Sequence, residues 1–443
     1  MNCLPFGASD VKAQPYTFNQ KLRGGAMLDI AAKLNDNRVP ADIKQRHQRF
    51  LLAELIPQEK EEKVPINLAL VLDKSGSMSG RPIEQVKQAA QNIVGLLSSE
   101  DRLTLAVFND QAEIVVKAEA LTNPREIMRR IGRIEASGKT AIDKGMDKAL
   151  SQMEKLNLQG YTNRAIVLTD GLNEHGNDAR CRELAQRAAA KGIPFSTFGF
   201  GLDWSPDLLE EIADAGKGRM VHIESPEEVV STFEDEVRSA SMTVAKNVRV
   251  CLDVKLAGLE LADINAAYLV KPQIVAVDPI RKSGGWEFPI GDLSFDAPKA
   301  LLIQLFLPAV EQGAFKYGEA YGWYDLPTGR SFDLKTRPCE LMLEGVTPYY
   351  ASVDPEVRDC VARLKIYLQQ RLGEKLAAQG KTPEAATVLQ EAAKTALQIG
   401  QKELATTLQS SATKLQAGEE ISKEERIKTR LQAKTTIQKG GGS

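Results

Sequence analysis

The sequence predicts an α/β protein, a doubly wound and mostly parallel sheet covered by helices, with an antiparallel β-sandwich and a C-terminal helical region attached. Three observations carry this expectation. Between Val64 and Met242, short apolar runs alternate with amphipathic stretches, as parallel strands and their crossover helices do. From 244 to 337 the chain breaks into short strand-like segments parted by turn signals. Beyond Asp354 only helical spacing remains.

Residues 1–40 are weakly patterned, with Pro5, Pro15, Gly24 and Gly25 as breakers. A strand near 50–58 follows, then the charged run 59–63, read as a solvated turn. Ile66–Asp73 (INLALVLD) is nearly continuous apolar sequence, as a strand buried on both faces requires. Pro82 suits a helix first turn, and Ile83, Val86, Ala90, Ile93 and Leu97 recur at helical spacing over 82–98. Strands are expected at 103–108, 113–117, 164–169, 194–200 and 219–223. Helices are expected at 124–134, 141–156, 178–191, 206–215 and 226–240. Ser205 is the N-cap of the 206–215 helix, and Ser225-Pro226-Glu227-Glu228 reads as a capping box.

In the β-rich part, strands are expected at 246–256, 266–270, 273–277, 286–290, 299–307, 318–324 and 331–335, with the 50–58 strand joining them. Helices follow over 355–379, 383–399 and 402–416, then a polar helix over 419–438. The domain reading is an N-terminal extension (1–63), the α/β body (64–242), the sandwich (243–345), the helical region (354–438) and a tail (439–443).

Of the 443 residues, 43% are hydrophobic and 26% charged, ample for packed cores and unlike a disordered chain. Lys and Arg number 57 against 59 Asp and Glu, a net charge of −2, which argues against a chain-wide nucleic-acid binder. Five scattered cysteines without a C-x-x-C pair suit reduced thiols in a cytoplasmic setting. No signal-peptide pattern opens the sequence, and no apolar run approaches the roughly 18 residues of a membrane span.

One constellation carries chemistry. Asp73-Lys74-Ser75-Gly76-Ser77 lies at the carboxyl end of the first α/β strand, where open α/β sheets place ligands. Thr140, in Ser137-Gly138-Lys139-Thr140, and Asp170, in Leu168-Thr169-Asp170-Gly171, fall at other strand ends. Three hydroxyls and two carboxylates form a hard, all-oxygen donor set. It suits Mg²⁺, with Mn²⁺ and Ca²⁺ as alternatives. Two carboxylates only balance a divalent ion, so it stays electrophilic toward a further carboxylate.

With these motifs, residues 66–240 resemble a von Willebrand factor type A domain bearing a metal-ion-dependent adhesion site. The resemblance implies that Ser75, Ser77 and Thr140 bind the metal directly, and that Asp73 and Asp170 do so directly or through water. Lys139 departs from the glycine common in relatives. The flanking β-region and C-terminal helices resemble multi-domain bacterial proteins, cyanobacterial forms among them. The competing reading is a degenerate domain in which the same residues only cap turns.

Other signals point nowhere. Gly199-Phe200-Gly201 lacks the third glycine of a dinucleotide fingerprint, Trp204 standing in its place. Neither a phosphate loop nor a G-x-S-x-G elbow occurs. Lys139, His175 and Trp204 are candidate partner contacts around the metal loops. The functional expectation is a non-enzymatic, metal-dependent interaction module that captures an Asp or Glu carboxylate of a protein partner. The alternative is a scaffold or homo-oligomeric subunit assembled through the sandwich and helical tail.

Overall fold

The computed structural model describes residues 28–41, 43, 45–58, 64–156, 160–225, 227–254 and 264–436. The run 59–63, the tail 439–443, Pro226 of the expected capping box and the weakly patterned 1–27 lie outside the described residues.

The chain opens with β1 (Leu28–Leu34), β2 (Arg38–Pro40) and β3 (His47–Pro57). The α/β body follows as β4 (Ile66–Asp73), α1 (Arg81–Leu96), β5 (Arg102–Phe108), β6 (Ala112–Ala120), α2 (Pro124–Gly132), α3 (Ile142–Leu156) and β7 (Thr162–Thr169). It closes with α4 (Asp178–Ala190), β8 (Phe195–Phe200), α5 (Pro206–Ala215), β9 (Lys217–Ile223) and α6 (Glu228–Ser241). Then come β10 (Thr243–Val254), β11 (Ile264–Lys271), β12 (Val275–Ala276), β13 (Ile280–Lys282), β14 (Gly285–Ser294) and β15 (Lys299–Leu307). β16 (Gly313–Asp325), β17 (Leu334–Lys335) and β18 (Cys339–Val346) complete the strands. The helical region is α7 (Pro355–Ala378), α8 (Thr382–Gln398), α9 (Lys402–Gln416) and α10 (Lys423–Lys434).

The α/β sheet has the order β6-β5-β4-β7-β8-β9, parallel except for the β5–β6 hairpin. Every residue of β4 is buried, which explains its unbroken apolar run. The chain builds outward from β4 through β5 and β6, then crosses to β7, β8 and β9. The order therefore reverses beside β4, and a crevice opens at the carboxyl ends of β4 and β7. One face packs on α1, α2 and α6, with Leu70, Leu105 and Ile166 in the core; the other packs Val71, Phe108 and Val167 on α3, α4 and α5. Ser205 caps α5 as expected, its side chain accepting the Leu208 amide at 3.3 Å.

The β-rich part is a two-sheet sandwich, ordered β1-β3-β15-β11-β12 and β13-β14-β10-β16-β18-β2. Leu51, Leu55 and Ile303 from the first sheet meet Val250 and Phe288 from the second in its core. It departs from the expectation in several ways, the short unexpected β13 among them. β1 and β2 arise from the segment read as weakly patterned; β18 lies past the last expected strand; and β18 pairs with β2 in parallel. α6 begins at Glu228, and Ser225 Oγ bonds the Glu228 carboxylate at 3.2 Å instead of a helix amide.

α7 lies on the outer face of the first sheet through Val357, Cys360 and Leu364. α8 packs against α7, and α9 against α8, through alanine and leucine. α10 starts at Lys423, later than expected, and buries Ile427, Arg430 and Lys434 against the α/β body rather than lying in solvent. No helix among the described residues is long and apolar enough to cross a membrane.

Candidate metal centre

Asp73 ends β4 and is fully buried. Its Oδ1 accepts the Ser75 amide at 2.7 Å and its Oδ2 accepts Thr169 Oγ1 at 2.5 Å. Both oxygens are thus occupied in shaping the loop, which fits Asp73 to a role behind Ser75, Ser77 and Asp170. Ser75 Oγ and Ser77 Oγ share a hydrogen bond at 3.0 Å, and Ser77 Oγ donates to Asp170 Oδ1 at 2.7 Å. Four of the five expected donors therefore form one continuous relay across two strand ends.

Thr140 enters from a third loop, which joins α2 to α3 and is not the strand end expected from the sequence, because no strand intervenes between those helices. The Cβ that Gly171 lacks would lie 3.4 Å from Thr140 Oγ1 and 3.9 Å from Ser77 Oγ, so both hydroxyls face the small space over Gly171. Backbone bonds fasten this loop to its neighbours. The Gly76 amide donates to Gly138 O at 3.0 Å, Ser137 to Lys74 O at 2.7 Å, and His175 to Thr140 O at 3.0 Å. The Ala141 amide donates to Asn109 O at 2.8 Å, and Asn173 Oδ1 accepts the Ile142 amide at 2.8 Å.

Burial pushes the Asp73 carboxyl up to about 6. Asp170 is raised too, first by burial and then by the charge of Asp203. Burial thus disfavours the charged form of both carboxylates, a cost that a cation beside them would offset. Among the described residues no group of three His, Cys, Asp or Glu side chains could hold a metal. Any cation here would rest on alcohol oxygens, a hard set with little affinity for a soft metal.

Thr169 was not among the expected site residues. It also accepts the Gly171 amide at 3.2 Å, and so ties Asp73 to the Asp170 loop. Its signal was present: a hydroxyl residue at the end of an otherwise aliphatic strand, beside the aspartate. Asn109 and Asn173 were missed as well, because their work is done through loop backbone.

Lys139 and His175 are exposed beside Thr140, where a partner could reach them. Trp204 is not. It is 0% exposed, its Nε1 donates to Gly201 O at 2.9 Å, and its ring lies over Gly199. A Cβ on Gly199 would come within 2.3 Å of that ring, so this glycine makes room for a tryptophan. Trp204 is a core residue at the entry to α5 and is withdrawn as a partner contact.

Residues 67–236 match the family model of the von Willebrand factor type A domain, and residues 355–439 that of the Sll0103-like, C-terminal alpha-helical domain. The chain is 34% identical to the protein sll0103 of Synechocystis sp. over 413 residues, covering 93% of this chain and 98% of the relative. Among solved structures it is similar to von Willebrand factor type A from Catenulispora acidiphila, with a TM-score of 0.77 and 16% identity over 93% of this chain and 97% of the other. The ArnB paralog VWA2 from Sulfolobus acidocaldarius gives a TM-score of 0.54 at 16% identity, covering 92% and 97%. At such identities these two likenesses speak for the fold.

Proposed function

Because this chain belongs to the family of sll0103, built on a von Willebrand factor type A domain and a C-terminal helical domain, we propose that it is a non-catalytic, metal-dependent interaction protein. Ser75, Ser77, Thr140 and Asp170 would hold a divalent cation, Mg²⁺ in the first place, with Asp73 behind them. When bound, such a cation supplies a Lewis-acidic corner for an Asp or Glu carboxylate of a protein partner.

The observation that carries this reading is the Ser75–Ser77–Asp170 relay braced by Asp73. The loops after β4 and β7 and the loop between α2 and α3 deliver oxygen donors to one place, and the buried Thr169–Asp73 bond fixes the two strand ends together. Ser77 and its neighbour Gly76 are exposed and Asp170 is half-buried, while Ser75 and Thr140 are buried, so a second molecule would reach the site from the Ser77 side. Lys139 stands beside them with a charge suited to an acidic partner.

Calorimetric titration with Mg²⁺ tests the site. Wild type should bind one ion, and Asp73→Ala and Ser77→Ala should each weaken binding at least tenfold with unchanged far-UV circular dichroism. Partner recovery from a native lysate should vanish in EDTA and return with Mg²⁺. Partner recovery that is indifferent to EDTA and to Asp73→Ala sinks the metal-bridge reading.

A further inference from the structure

A second polar site lies at the opposite end of the sheet. Where β7, β8, β9 and α6 meet β14 and β15, the seam between α/β body and sandwich encloses a cavity of about 70 Å³. Arg164, one of its walls, precedes Asp170 by six residues of extended chain, roughly 20 Å.

The charges on these walls do not cancel. Glu236 is engaged by Arg219, whose Nε donates at 3.1 Å, and by Ser196 Oγ at 2.8 Å. Asp214 is held by Lys434 at 2.8 and 2.9 Å. Arg164, Lys217 and Lys299 remain. Arg164 is only 7% exposed, yet its Nε has no hydrogen-bond partner and its nearest carboxylate oxygen, on Glu236, is 3.8 Å away. Lys299 Nζ donates to Ile290 O at 3.1 Å and has no ion-pair partner among the described residues. Lys217 feels Asp278 and Asp214 only at a distance. Among the side chains lining the cavity, the four cations Arg164, Lys217, Arg219 and Lys299 face the three carboxylates Asp214, Glu236 and Asp292, so the lining itself carries one more positive than negative charge.

Asp292 supplies the second half of the recognition. Its Oδ1 accepts the Asn247 amide at 3.3 Å, while its Oδ2 is buried without a partner. A buried, unpaired carboxylate oxygen is costly unless it receives a proton donor. The cavity thus offers a guanidinium donor and ammonium groups for negative oxygens, and one acceptor for an O–H.

We propose that this seam cavity binds a small tetrahedral oxyanion that carries its own proton, inorganic phosphate in its hydrogen-phosphate form. Arg164 Nε and Lys299 Nζ meet its oxygens, and its O–H donates to Asp292 Oδ2. Sulfate matches it in size and charge but carries no proton near neutral pH, so Asp292 repels it. The bound anion would brace β7, through Arg164, against β15 and β14 of the sandwich, through Lys299 and Asp292.

The test uses the full chain in EDTA, so that the metal centre takes no part, with chloride, sulfate and phosphate compared at matched ionic strength. Phosphate should raise the melting temperature saturably, and equilibrium dialysis with labelled phosphate should find one site per chain. Sulfate should bind at least tenfold more weakly. Arg164→Met and Lys299→Met should each abolish the phosphate shift, and Asp292→Asn should narrow the phosphate–sulfate gap. Should Arg164→Met fail to fold, Lys299→Met carries the test alone. Equal effects of the three salts, or a phosphate shift surviving in Lys299→Met, overturns the proposal.

Discussion

Gly138 carries the tightest backbone requirement at the metal centre. Its φ is +79°, and an added Cβ would lie 2.4 Å from Asp110 Oδ1 and 2.8 Å from Asn109 Nδ2. Its carbonyl also receives the Gly76 amide, which links the Thr140 loop to the serine loop. Gly138→Ala is therefore expected to cost about 1–3 kcal/mol of stability and to lower Mg²⁺ affinity at least tenfold. Urea unfolding and calorimetric titration measure the two separately. Trp204 gives the opposite case, a residue near the site whose importance is to packing. Trp204→Ala should remove about 3–5 kcal/mol in urea unfolding, and Mg²⁺ affinity of the folded fraction should change less than in Gly138→Ala. That Asp73, Ser75, Ser77 and Asp170 meet was legible because these types are rare in combination at strand ends. The side-chain direction of Trp204 was not, since an indole at a helix entry reads the same from sequence whether it faces core or solvent.

At the scale of elements, charge misleads wherever its partner sits far away in sequence. α10 reads as a polar helix, yet Lys434 is 0% exposed and reaches Glu210 at 2.7 Å and Asp214 at 2.8 Å, both on α5. Pattern reading cannot see carboxylates more than two hundred residues upstream. Lys434→Met should destabilise the protein by about 3–5 kcal/mol, measured by urea unfolding, because it strands those carboxylates in a buried place. β18 was missed for a related reason. Leu341 and Leu343 alternate with Glu340, Met342 and Glu344, but only two inward side chains separate this from a loop. The start of α7 shows a pH-dependent tie. Glu356 accepts from Lys33 of β1 at 2.8 Å and Lys271 of β11 at 3.1 Å, and the Lys33 bond, with Lys271 behind it, draws its carboxyl down to about 2. The folded value lies below the ordinary 4.5, so this tie contributes fully above pH 4.5 and is lost as pH falls toward 2. Glu356→Gln should flatten the pH dependence of the urea midpoint within that window.

The whole molecule is a sandwich interrupted by an α/β domain. β3 is hydrogen-bonded between β1 and β15, so a strand that precedes the α/β body is completed by one that follows it. Alternation revealed the α/β body directly, because each of its crossovers is local. The sandwich was only half legible, because strand neighbours some 250 residues apart in the sequence leave no mark on either segment alone. The consequence is an asymmetry between the two folding units. Leu28, Leu51 and Leu55 from the N-terminal strands belong to the sandwich core, whereas the two cores of the α/β body draw nothing from them. A chain lacking residues 1–58 should therefore lose the sandwich and keep the metal centre. Near-UV circular dichroism should show Trp286 and Trp323, both on sandwich strands, losing their fixed environment, while Mg²⁺ titration gives an affinity within a few-fold of wild type. The same truncation should abolish phosphate stabilisation, since Asp292 and Lys299 reach the seam only from a folded sandwich. A truncated chain that loses Mg²⁺ binding while staying folded would show instead that the candidate metal centre depends on the sandwich behind it.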